Sequence, residues 1–447
     1  MIRSHARSRS IYLFSIMLAF LAGCSSGQTN EPGSMPKAAG ETTALSGKKQ
    51  IADGKPVTMK VFQSNAGITD QEFQELFALP VKKKYPNVIL EMVRSGKGTT
   101  IQDLISTNNV PDLIYTTSLD MTQFVLLEVL ADLNELVRKS NFDLNQFEKN
   151  PIDSIKLYSD RGQLFALPLR LNWNVLYYNK AIFDRVALPY PKDGITWEEV
   201  IDTGRKIAAK DPSYLTVDPN GLRLVAQNML VPFVDPKTDK STVSSDEWKY
   251  LFDLFQSIEN IPDNKKSKKG VDGFEKDQTI AMYGSSGGRL AEFEDLLQQG
   301  KMPDWDMVTY PIRKDASTKE QVTQAHILAV SSMSKNKEDA FEIVSFLTTN
   351  REAQEIIARN GFLPALKDPQ LKELFGKNLK SLQGKNIQAV YKNNYGSMAK
   401  PTKYDDIVKT ANQNAFNKMI KEKLDRNTAV RIAQEEADKA IAGEKMK

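Results

Sequence analysis

The 447-residue chain contains one cysteine, Cys24, and two histidines, His5 and His326. With a single thiol there is no disulfide partner, and histidine–cysteine zinc sites and cysteine–histidine catalysis are excluded. A Ser–His–Asp arrangement would need His326, which sits in the strand-like run 325–330 where a satisfied core or rim histidine is the ordinary role. Excess charge is lacking too. The chain carries 60 basic and 56 acidic residues, so bulk electrostatics gives nucleic-acid binding no support. Its basic runs, 82–84 and 265–269, read as a solvated helix end and a solvated loop. Phosphate and metal motifs are missing. Gly284-Ser285-Ser286-Gly287-Gly288 follows a strand and precedes a helix, but its spacing fits neither the dinucleotide nor the Walker pattern. In Gly96-Lys97-Gly98-Thr99 a glycine stands where Ser or Thr should follow the lysine, and Lys237 stands where a calcium loop needs oxygen. No cofactor and no metal are expected.

What is present begins at the amino terminus. Arg3, Arg7 and Arg9 precede the apolar stretch 11–21, and small residues lead to Cys24, the order of a secretory signal too short for a permanent membrane span. The run Leu21-Ala22-Gly23-Cys24 resembles the bacterial lipobox. That resemblance implies removal of residues 1–23, a diacylglycerol on the Cys24 sulfur, and an acyl chain such as palmitate on the new terminus. Two or three chains suffice for stable anchoring, on the outer side of a cell membrane. Loss of the signal leaves 57 basic against 56 acidic residues. Residues 24–56, rich in Gly, Ser, Thr, Pro and Lys, read as a flexible tether with a reach of roughly 30 Å.

Order is expected from residue 57. Alternation predicts a strand at 57–62, and Thr69 with Glu72 has the spacing of a capping box for a helix that Pro80 kinks or restarts. Strands at 88–93 and 112–116 flank a helix at 100–106. Strand alternating with helix is the signature of an α/β layer on a mostly parallel sheet, whose ligands sit beyond the carboxyl ends of the strands. A second set follows: a strand at 174–178, helices at 180–185 and 197–210, the latter with Thr196 and Glu199 at capping-box spacing, and a strand at 279–283 running into the glycine-rich loop. Strands at 306–310 and 325–330 and helices over 337–360 complete the reading.

Gly162-Gln163-Leu164-Phe165-Ala166-Leu167-Pro168, then Leu176-Tyr177-Tyr178-Asn179-Lys180 with Phe183 and Asp184, then Thr196-Trp197-Glu198-Glu199, resemble successive signatures of the extracellular solute-binding proteins of carbohydrate importers, family 1. Phe274 with Ala281-Met282, Asp304-Trp305-Asp306 ahead of Tyr310-Pro311, and Gly361-Phe362-Leu363-Pro364 continue the series in order. The resemblance implies an α/β, two-lobed, periplasmic-binding-protein-like fold of type II, similar to maltose-binding protein. One lobe would comprise 57–168 and 311–365, the other 169–310 and 366–447. It implies a cleft that closes on a sugar or oligosaccharide, delivery to the permease subunits of an ATP-binding cassette importer, a monomer, and no catalysis. Residues 284–288 lack the tryptophan often found there, and the loop after Asn65 is particular to this chain, so the sugar stays open. A lipid-anchored glycan-degrading enzyme and a sugar-sensing partner of a membrane kinase are the alternatives.

Sugar rings offer apolar faces and a belt of hydroxyls, so a site needs aromatic plates beside amides, carboxylates or arginine. The strand-end rule selects Ser64, Asn65 and Thr117 in the first lobe. Asn172, Trp173 and Asn174 follow the crossing segment, with Trp173 as the expected plate. Tyr283, Ser285, Ser286 and Arg289 lie at a strand end and helix start in the second lobe. Trp197, Trp248 and Trp305 are expected in the core, and Tyr391 and Tyr395 read as a further plate or as surface residues.

Overall fold

The computed structural model describes residues 50–262, 264, 270–315, 320–392, 394–396 and 398–446. Cys24, the signal 1–23, most of the tether and the lysine-rich run 265–269 lie outside the described residues.

The strands are, in chain order, β1 (Val57–Gln63), β2 (Val88–Arg94), β3 (Leu113–Thr117), β4 (Leu167–Asn172), β5 (Asn174–Asn179), β6 (Leu215–Asp218) and β7 (Val234–Asp235). They continue with β8 (Lys240–Ser241), β9 (Ile280–Ser286), β10 (Trp305–Thr309), β11 (Glu320–Val322), β12 (Gln324–Val330), β13 (Leu363–Pro364) and β14 (Asn394–Gly396). Six form one sheet in the order β13-β4-β12-β3-β1-β2, and four form a second in the order β10-β5-β9-β6. β11 pairs with β14 and β7 with β8. In the first sheet β1 runs parallel to β2 and β3, whereas β12 is antiparallel to both β3 and β4. In the second, β5 is antiparallel to β9 and β10, and β6 is parallel to β9. Every residue of β3 and β5 is buried, as strands covered by helices on both faces require.

Local chemistry explains the helices. Thr69–Glu72 and Thr196–Glu199 form reciprocal capping boxes, and Thr100–Asp103 forms a third. Pro80 has no N–H for an intrahelical bond; a π-helical turn, Gln74–Ala78, joins Asp70–Phe73 to Leu79–Lys84 and absorbs its ring. The helices expected over 337–360 are Lys337–Thr349 and Arg351–Arg359, divided where the Asn350 side chain accepts from the amides of Glu352 and Ala353 and starts the second.

One apolar core draws on residues 51–169 and 325–365 and surrounds the first sheet. A second draws on 176–310 and 404–441, where helices Asp405–Glu422 and Arg426–Lys445 cover the other lobe. A third, aromatic core contains Trp173, Tyr177, Phe293, Trp305 and Phe375 and takes in Leu363 from the first sheet. The structure differs from the sequence reading in detail. The sheets, expected to be mostly parallel, are mixed: β4, β5 and β12 run against their neighbours, so antiparallel pairings outnumber parallel ones in the two main sheets. The end of the expected tether is ordered: Ile51 is buried, its carbonyl accepts from Asn87 Nδ2 at 2.8 Å, and the Ala52 amide donates to Asp339. The first sheet also holds the chain through Asn172, past the boundary expected after Pro168, because β4 is locked between β12 and β13.

Candidate ligand-binding cleft

The registers bring two strand-end edges together. β1, β2 and β3 end on one edge of the first sheet, and β4, antiparallel to the same β12 as β3, ends there too. In the second sheet β6 and β9 end on the edge from which β5 starts, since Asn174 pairs with Ser286; β10 ends there as Thr309 opposite Val175. A single residue, Trp173, separates the end of β4 from the start of β5. Loops at the carboxyl ends of both sheets therefore converge on this crossing, the geometry in which α/β proteins hold ligands.

On the first edge, Ser64 is buried and its amide donates to the Tyr115 carbonyl at 3.0 Å. Asn65 is exposed and left-handed (φ 58°), a conformation asparagine tolerates. The Thr117 hydroxyl donates to Asp120. Asn172 donates to Gln324 Oε1 at 3.2 Å and accepts from the Trp173 amide at 3.0 Å. Behind them lies a polar network that sequence reasoning missed. The Arg170 guanidinium, 1% exposed, donates to Glu72 Oε1 at 3.0 Å, to the Gly67 carbonyl at 2.7 Å and to His326 Nδ1 at 3.1 Å, and lies 3.8 Å over the Phe362 ring. Tyr115 also donates to His326 Nδ1, at 2.8 Å. Two donors on Nδ1 require a neutral imidazole, and burial, with the Arg170 charge next, pushes the His326 pKa well below its usual value. Glu72 thus serves twice, as capping residue and as counter-ion.

On the second edge, buried Asn174 donates to Asn228 Oδ1 at 3.0 Å, and Asn220, left-handed at φ 59°, donates to the Ser285 hydroxyl at 3.3 Å. Ser286 is half-buried and its carbonyl accepts from Tyr177 at 3.1 Å. Tyr283 and Arg289 are held by contacts within their own lobe. The Tyr283 ring stacks on Phe274 at 5.7 Å, and Arg289 lies 3.7 Å from buried Glu275. Burial raises the Glu275 pKa to about 7, against the opposing pull of Arg289. Asn220 and Asn228 follow β6, a four-residue strand too short to show a period in the sequence; the Asp218-Pro219-Asn220-Gly221 turn is the local signal.

Trp173, expected as a plate, is fully buried. Its Nε1 donates to the Gly361 carbonyl at 2.8 Å, its own carbonyl accepts from the Gly287 amide at 2.8 Å, and its ring meets Phe375 at 5.9 Å. A Cβ on Gly287 would lie 2.3 Å from the indole, so this glycine clears space for a ring and does not cradle a phosphate. The indole offers no face to the cleft in this conformation. Trp197, Trp248 and Trp305 are fully buried as well.

Between the lobes runs a narrow groove with Thr122 and Tyr158 on one side and Gln227, Leu230 and Phe233 on the other. Tyr158 donates to Met398 at 4.0 Å, and burial raises its pKa well above the usual value, with Asp405 of the opposite lobe adding to the shift. Among the described residues, no group of three or more His, Cys, Asp or Glu side chains could hold a metal, and no helix is long and apolar enough to cross a membrane.

The profile of the bacterial extracellular solute-binding proteins matches residues 65–354. The chain belongs to that family. Solved structures agree on the fold. An ABC substrate-binding protein from Listeria monocytogenes, in complex with cycloalternan, superposes with a TM-score of 0.70 at 19% identity, over 87% of this chain and 100% of the other. A sugar transporter from Rhizobium etli in an open conformation gives 0.68 at 19% identity, over 86% and 99%. The sugar-binding protein MalE from Xanthomonas citri gives 0.67 at 14% identity, over 87% and 98%. The architecture is thus the two-lobed one of the periplasmic binding proteins, and family membership makes this an extracytoplasmic solute-binding protein.

Proposed function

We propose that this solute-binding protein captures a sugar or oligosaccharide between its lobes and hands it to the permease of an ATP-binding cassette importer, acting as a monomer and without chemical change to the sugar. The observation that carries this reading is the convergence of polar strand ends on a one-residue crossing: amides and hydroxyls of Asn65, Thr117, Asn172, Asn174, Asn220, Ser285 and Ser286 stand at the two edges, a set suited to neutral hydroxyls and lacking a paired acid and base. Ser64 contributes through its loop backbone, Tyr283 and Arg289 support the second edge from behind, and Trp173 fixes the crossing. The lobes divide at Trp173 and again on either side of β11 and β13. Ligand contacts to both edges favour closure by their differential affinity for the closed state. The lipobox-like run supports a lipid anchor at Cys24, which holds the body at the outer membrane surface where a permease is reached.

A thermal-shift and calorimetric panel of oligosaccharides tests the reading. A ligand at 100 times its Kd stabilises by about 2.7 kcal/mol. Asn65→Ala and Ser286→Ala, at exposed and half-buried positions, each weaken binding by about 1 kcal/mol, roughly fivefold. A panel in which no saccharide binds while amino acids or peptides do would overturn it, as would release of cleavage products.

A further inference from the structure

Behind the crossing lies a cavity of about 460 Å³ that shares no lining residue with the groove between the lobes. Its volume falls in the range of about 300–1,000 Å³ usual for small-molecule sites. Strand geometry separates the two spaces. Leu171 lines the cavity while its neighbours Arg170 and Asn172 point to the other face of β4, and Thr323 lines it while Val322 lines the groove. The floor is apolar, from Leu171, Leu363, Leu366 and Val390, and Tyr391 and Tyr395 add two aromatic walls. The rim is charged but already compensated: Glu148 lies 3.6 Å from Lys372, Lys149 pairs with Asp153 and Asp368 with Arg351. A charged occupant would have to break one of these pairs. Hydrogen-bonding capacity remains in neutral groups. Asn150 gives its amide hydrogen to the Tyr395 carbonyl and keeps Oδ1, and the hydroxyls of Thr323 and Tyr391, which donate to Gly396 and Lys372 carbonyls, keep acceptor lone pairs.

We propose that this cavity is a second binding site, distinct from the cleft, for a neutral hydroxyl-rich ring of mono- or disaccharide size. Apolar ring faces lie against Tyr391 and Tyr395 and hydroxyls reach Asn150 and Thr323. The site is wired to the crossing: Tyr391 packs on Phe375 at 5.6 Å, and Phe375 on Trp173 at 5.9 Å. These rings are the route by which occupancy would act on the crossing, and any such coupling is reciprocal.

The test titrates the full-length protein with glucose, trehalose and myo-inositol, with glucose 6-phosphate as the charged control. A neutral probe is expected to bind, and the phosphate to bind at least tenfold more weakly. Tyr391→Ala, which removes a wall, and Leu366→Trp, which fills the cavity, each weaken the neutral probe at least tenfold, while Asn65→Ala with Ser286→Ala leaves it within twofold. Wild-type crystals soaked in the bound probe show it against Tyr391, so the result stands even if a variant misfolds. The proposal is overturned if no neutral probe binds at tens of millimolar, if Leu366→Trp binds as wild type does, or if the cleft pair alone abolishes the signal. That last outcome assigns the probe to the cleft and leaves the proposed transport function standing.

Discussion

The two sides of the Trp173 crossing are held by different physics. On the first-lobe side, Arg170 is buried by pairing: each guanidinium nitrogen has a partner, and the partners include a carboxylate, a carbonyl and an imidazole. On the second-lobe side, Trp173 is buried by packing, in a cluster where Phe293 and Trp305 stack at 4.4 Å and Tyr177 meets Trp305 edge-on at 5.5 Å. A charge network tolerates changes of shape but not of valence. A packed aromatic cluster tolerates the reverse. The first edge should therefore respond to charge substitutions and the second to volume substitutions.

The largest effect is expected from Arg170→Met, which conserves volume but leaves the Glu72 carboxylate and the Gly67 carbonyl without their guanidinium donors and His326 with Tyr115 alone. Removal of one partner of a buried pair costs about 3–5 kcal/mol, and the low end applies because Glu72 is partly exposed. Urea unfolding would read it as a lowered midpoint with unchanged slope. Wild-type stability in this variant would erase the contrast between the two sides. Next comes Gly287→Ala, whose added methyl meets the indole at 2.3 Å. Overpacking of this kind costs about 1–3 kcal/mol, and a shifted tryptophan emission should accompany it. An unchanged midpoint and spectrum would mean that the indole has room to move. The most gradual effect is a pH dependence. Glu275 titrates near 7 in the fold against an ordinary 4.5, so the folded state binds more protons than the unfolded between those values. Stability thus falls as pH rises from 4.5 through 7, by at most about 1.4 kcal/mol per pH unit. Glu275→Gln should flatten that slope. An equal slope in wild type and variant would place the titrating group elsewhere.

How far the sequence could be read follows the same division. Strands with long apolar runs, such as β5 and β12, and helices opened by Thr–x–x–Glu are set by local pattern, and they lie where that pattern puts them. The strand-end rule led to Ser64, Asn65 and Thr117, which do stand at one edge. The Arg170–Glu72–His326 cluster is assembled from residues far apart in the chain, and no local spacing announces it. The burial of Trp173, expected as a plate, is likewise set from a distance. Its cover comes from Gly287, Gly361 and Phe375, and a sequence window around residue 173 contains none of them. A glycine-rich loop after a strand is a phosphate signature only if its empty space faces solvent, and here a ring fills it.

The strand order of the first sheet also sets a schedule. β4 has only β12 and β13 as neighbours, and both are encoded after the whole of the second sheet. A chain emerging from its amino end can join β1, β2 and β3 early, but β4 stays without a partner until residue 330 is available. Completion of the first lobe is deferred until the whole second sheet has been made.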